Sequence, residues 1–125
     1  MQFEVEFYET PTGKVPIVDF LESVDVKMWA KITGLMKVLQ DKGPNLREPY
    51  TKSLGDGIFE LRAKQSSNIS RVLFFFYIGG RIIITNGFIK KGPKTPRSEL
   101  ELAKKYKKDF IERETQNSPQ KNRRK

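Results

Sequence analysis

The stretch GIFELRAKQSSNISRVLFFFYIGGRIIITNGFIKKGPKTP, Gly57 to Pro96, decides the fold. It reads as three strands, at about 57–64, 69–78 and 81–90, because β-branched and aromatic residues fill it between turn signals. Gly79-Gly80 marks a two-residue hairpin, since both positions accept positive φ. With Ile78 and Arg81 flanking that turn, Arg71 faces Phe88 and Ile69 faces Lys90. With Lys64 opposite Ile69 across the Gln65–Asn68 loop, Arg62 faces Arg71. Directly paired residues share a sheet face. Arg62, Arg71 and Phe88 therefore form one row, flanked by Lys64 and Lys90. One slipped residue in either loop would break it.

Outward from this meander the pattern stays simple. Gln2 to Tyr8 alternates, with Phe3, Val5 and Phe7 on one side and Glu4, Glu6 and Tyr8 on the other, as a half-buried strand does. A Pro/Gly turn follows at Thr10–Pro16. Ile17–Val24 reads as a short helix with Phe20 and Leu21 inward. Asp25 caps a second helix that runs to about Lys42. There Met28, Ile32, Leu35, Met36 and Leu39 recur at three-to-four spacing, and Gly43-Pro44 ends it. Asn45–Asp56 reads as a polar loop with a basic-aromatic cluster, Arg47, Tyr50 and Lys52. Thr95 as N-cap and Pro96 at the first helical position open a last helix, with Leu102, Tyr106 and Phe110 one turn apart. The expectation is α+β: an N-terminal strand, two helices, a three-stranded antiparallel meander and a C-terminal helix, with the helices on one face. Residues 1–115 form the domain. Residues 116–125, without apolar residues, read as a disordered basic tail.

Composition narrows the chemistry. The 125 residues suit one domain, and 37% hydrophobic content can bury a core. The net charge of +9 favours polyanionic partners. No cysteine excludes thiolate catalysis, disulfides and cysteine metal sites; no histidine removes the commonest general base and metal ligand. No cofactor or metal is expected. The longest unbroken apolar run, Val72–Ile78, is seven residues, far short of a membrane span. An acidic N-terminus is no signal peptide. The expectation is a cytoplasmic protein.

Each candidate residue has an ordinary alternative. Arg62 and Lys64 also suit a solvated strand face. Arg71 shares its face with Leu73, Phe75 and Tyr77, where an unpaired arginine is costly; Glu60 is a structural partner within reach. Phe88 suits a core as well as a base-stacking platform. Lys90, Lys91 and Lys94 also suit a solvated loop before a helix. Together they suit a phosphate backbone, because guanidiniums match phosphate oxygens in charge and geometry.

The FELR quartet, a strand opening on arginine before an aromatic run, and GFIKKGPKTP followed by SELELAKKY together resemble the RelE/ParE toxin superfamily. YETPTGKVPIVDFLESV and EPYTKSLGDGIFELR resemble its phage-derived HigB-like branch in type II toxin–antitoxin systems. The likeness spans about residues 3–112. It implies a RelE-like fold and a metal-independent endoribonuclease that cuts mRNA on the ribosome. It also implies a cognate antitoxin, a small helix-turn-helix DNA-binding protein. By position it implies catalytic roles for Arg62, Arg71, Lys90 and Lys52. RNA-contacting roles go to Phe88, Lys91, Lys94, Lys64 and Tyr50. Lysines crowded by cations are candidate proton acceptors, here Lys52 or Lys90. Some relatives use a histidine or a C-terminal tyrosine; this chain has no histidine, and its Tyr106 lies inside the last helix. Three other readings stay open: a ParE-like gyrase inhibitor, a nucleic-acid-binding module without catalysis, and a degenerate toxin that only binds its antitoxin.

Overall fold

The computed structural model describes residues 3–90 and 92–117. In chain order these form β1 (Glu4–Phe7), α1 (Pro16–Ser23), α2 (Val26–Lys42), a 3-10 turn (Gly43–Asn45), β2 (Thr51–Gly55), β3 (Ile58–Gln65), β4 (Asn68–Tyr77), β5 (Arg81–Ile89) and α3 (Arg97–Gln116). The expected boundaries hold to within a few residues. Gln2, and the tail from residue 118 onward, lie outside the described residues.

The three-stranded meander is the centre of a larger sheet. Its five strands run β1-β5-β4-β3-β2, with β1 parallel to β5 and every other pair antiparallel. β2 occupies part of the segment read as a loop. Its sequence, TKSLG, has one apolar side chain, so it carries no hydrophobic alternation. Pairing with β3 makes it a strand, and a short polar edge strand resists pairing with other chains.

Helices cover both faces, not one. Ile17 and Leu21 of α1 and Met28, Ile32, Met36 and Leu39 of α2 pack on Leu61, Val72, Phe74, Ile82 and Ile84. α3 covers the other face, where Ala103, Leu100, Tyr106 and Phe110 meet Ile58, Leu73, Phe75, Ile83 and Phe88. The reason lies in β4. Every residue from Ser70 to Phe75 is buried, and a strand apolar on both sides needs cover on both. Tyr8 follows the same logic. It turns away from Phe3 and Val5, as alternation requires, but is buried under α3, stacked on Tyr106 at 4.6 Å. Its hydroxyl donates to Asp109 at 2.6 Å.

Local signals fix the helix ends. Asp25 accepts from the Met28 amide at 2.8 Å and caps α2. Gly43 closes it at φ +55°, where a Cβ would lie 2.2 Å from the Phe3 ring. Thr95 is not a cap. α3 begins at Arg97 behind Pro96, with no side-chain cap, and the Thr95 hydroxyl is engaged elsewhere. Gly87 faces α1, and a Cβ there would lie 2.6 Å from the Phe20 ring. Its missing side chain lets α1 press onto β5.

The row register holds for an unexpected reason. Tyr77, not Ile78, pairs with Arg81, so the hairpin loop has three residues. Farther along, Thr85 and Asn86 on β5 together oppose Leu73, a β-bulge. The longer loop and the extra residue cancel. Arg71 therefore faces Phe88, and the Lys90 amide donates to the Ile69 carbonyl at 2.7 Å.

Candidate functional site

β3 and β4 place Arg62 directly opposite Arg71, with Lys64 opposite Ile69. Two residues before Arg62, on the same face, stands Glu60. Its carboxylate is fully buried and holds the group together. One oxygen accepts from Arg71 Nη1 at 2.6 Å and from Arg62 Nε at 3.0 Å. The other accepts from the Thr95 hydroxyl at 2.7 Å. Burial pushes the Glu60 carboxyl up, but the hydrogen bonds from Arg71, Thr95 and Arg62 outweigh it and hold the group below its ordinary range.

The two arginines differ in access. The Arg71 side chain is 4% exposed and that of Arg62 28%. Arg71 Nε is buried with no hydrogen-bond partner among the described residues. A buried donor in that state is costly unless something binds it.

Both guanidiniums line a cavity of about 370 Å³. Lys31 of α2, Lys64 at the end of β3 and Lys90 just past β5 join them, so five cations surround one space. Leu35, Pro49, Ile69 and Pro93 form its apolar wall, with the half-exposed Tyr50 ring. Of the residues singled out from the sequence, Arg62, Arg71, Lys64, Lys90 and Tyr50 therefore come together. Phe88 does not reach this space. It belongs to the core under α3, 9% exposed. Lys52 pairs with Glu60 across β2 and β3 but lines a different cavity, with Arg47, Phe59, Phe74 and Phe76. Lys94 is exposed and lines neither. Lys91 lies outside the described residues.

Lys31 escaped the sequence reading. Its one signal is spacing: it stands four residues before Leu35, so the two share a helix side. Nothing along the chain says that this side of α2 looks toward the ends of β3 and β5.

Guanidiniums fixed by a carboxylate present preset donors to phosphate oxygens. The lysines add mobile positive charge, and the apolar wall with Tyr50 suits a nucleobase. Among the described residues no group of three or more acidic side chains is placed to hold a metal ion. No helix among them is long and apolar enough to cross a membrane. No curated protein matches the chain. A family model described as phage-derived protein Gp49-like (DUF891) matches residues 19–108, from within α1 to the middle of α3 and across every residue of the cavity.

Proposed function

The chain belongs to the phage-derived Gp49-like family, which is associated with RelE/HigB-like toxins of toxin–antitoxin systems. From that premise we propose that it is the toxin of a type II pair, and a metal-independent endoribonuclease that cuts mRNA on the ribosome. The family implies an antitoxin partner. In this reading the antitoxin is a small helix-turn-helix DNA-binding protein encoded beside the toxin.

The observation that carries the reading is the convergence of Arg62, Arg71, Lys31, Lys64 and Lys90 on one half-apolar cavity. RNA supplies its own nucleophile. The 2′-hydroxyl attacks the adjacent phosphorus, its proton passes to a base, and the 5′-oxygen leaves with a proton from an acid. Negative charge builds on the non-bridging oxygens. Arg62 and Arg71 are suited to that charge because Glu60 already fixes their planes, so little reorganisation is needed. Lys90 is the better candidate base of the two lysines, since it shares the cavity with both arginines while Lys52 does not. Proton delivery to the leaving oxygen falls to the ammonium of another lysine of the same cavity. Tyr50 and the apolar wall hold the base, a role Phe88 cannot fill from the core.

Primer extension on mRNA after induction tests this, with Arg62→Ala against wild type at equal protein level. Arg62 is the cleaner choice because it is partly exposed, whereas Arg71 is buried on Glu60. Loss of one such donor lowers cleavage by about 10²–10³. Growth arrest with intact mRNA and trapped gyrase–DNA complexes would show a ParE-like toxin instead. Salt-sensitive RNA binding without cleavage would show a binding module.

A further inference from the structure

The anion at the centre of the cation cluster belongs to the protein. Glu60 is wholly buried, both of its oxygens are taken, and its three partners come from β3, β4 and the residue pair just ahead of α3. Without a counter-charge, two adjacent guanidiniums, one of them almost fully buried, would repel each other. A phosphate entering the cavity meets the same guanidiniums. Arg71 reaches that space with Nη1 committed to Glu60 and Nε unpartnered among the described residues.

We propose that Glu60 is a resident counter-anion, a positioning residue that sets the arginine planes and competes with a substrate phosphate for them. It holds Arg62 and Arg71 in register and, through Thr95, fixes the chain that leaves β5 for α3. Its negative charge also weakens phosphate binding in the ground state. The cavity is thereby ordered before substrate arrives, at the expense of affinity. The effect on cleavage rests on the ribonuclease reading; the effect on binding does not.

Binding and cleavage separate the two effects. The binding probe is a short 2′-O-methylated RNA, which lacks the attacking hydroxyl; cleavage is followed on the unmodified strand with ribosomes present. Glu60→Gln keeps the shape and removes the charge. It should bind the probe about tenfold more tightly and cleave about tenfold or more slowly, because the arginine planes are no longer set. A merely structural role predicts that both fall together. If Glu60→Gln binds no more tightly than wild type, the competition is refuted. If it does not fold in plain buffer, inorganic phosphate is titrated in. Recovery of the melting transition supports the stand-in role, and failure to recover refutes it. Thr95→Val keeps every charge and removes one hold on Glu60. It should leave probe binding unchanged and slow cleavage several-fold, and unchanged cleavage would refute the positioning role. If wild type cleaves no RNA, the ribonuclease reading fails, and the binding comparison still decides the counter-anion.

Discussion

Replacing Arg71 by Met keeps the aliphatic length in the sheet and removes the charge that Glu60 leans on most closely, at 2.6 Å. Truncating one partner of a buried ion pair costs about 3–5 kcal/mol, because the other charge is left uncompensated. Here Glu60 keeps Arg62 at 3.0 Å and Thr95 at 2.7 Å, which places the expected loss at the lower end, about 3 kcal/mol at neutral pH. The pH dependence is the sharper test. In the wild type the Glu60 carboxyl is depressed, so its contribution is present above the ordinary carboxylate pKa and lost as pH falls through the folded value. In the variant, burial loses its strongest opponent and the carboxyl rises. A raised carboxyl favours the folded state at low pH and loses that advantage as pH climbs. The gap between wild type and Arg71→Met should therefore narrow by about half or more between pH 7 and pH 4. Urea unfolding across that range reads it directly. A gap that stays constant would refute the view that the Glu60 charge, and not lost packing, carries the cost.

Three further expectations follow. Gly87→Ala should destabilise the fold by about 1–3 kcal/mol, since its Cβ would press on the Phe20 ring; Phe20→Leu in the same chain should restore part of the loss in a thermal melt. Lys31→Ala should leave stability unchanged, weaken RNA binding, and reduce the slope of log affinity against log salt by about one; an unchanged slope would remove Lys31 from the cavity's work. Burial, helped by the Asp109 carboxylate, pushes the Tyr8 phenol up to about 12. Its contribution is thus intact below the ordinary phenol value and lost as pH rises toward 12. Phenolate absorbance at pH 11 should therefore be lower in the folded wild type than after denaturation, and Tyr8→Phe should shrink that difference, the remainder belonging to Tyr106, whose phenol burial also pushes up.

How far the chain could be read depends on which neighbours a residue answers to. Asp25 answers to the amide three residues on, and its cap was legible. Glu60 stands two residues from Arg62 on one strand, so a shared face was legible too. What covers that face was not. α3 approaches from far along the chain and covers Leu73 and Phe75 on that face, and Thr95 just ahead of it bonds Glu60. Phe88 is buried for the same reason. β2 was hidden because TKSLG has the polarity of a loop and becomes a strand only against β3. The Arg71–Phe88 half of the row came from a hairpin assumption that was wrong by one residue at the turn. A bulge at Thr85–Asn86, invisible in the pattern of apolar residues, restored it.

The parallel pairing of β1 with β5 also has a consequence in time. Glu6 and Arg81 are joined at 2.7 Å across 75 residues of chain. At ribosomal rates of about 5–20 residues per second, roughly 4–15 s separate the synthesis of the two. Within that interval the apolar stripe of α2 is complete before β3 and β4, the strands it lies on, have been made. Lys90 and Thr95 emerge later still, so the cationic cavity is among the last features to exist. Any molecule that takes hold of the uncovered stripe meets this chain before its cationic cavity exists.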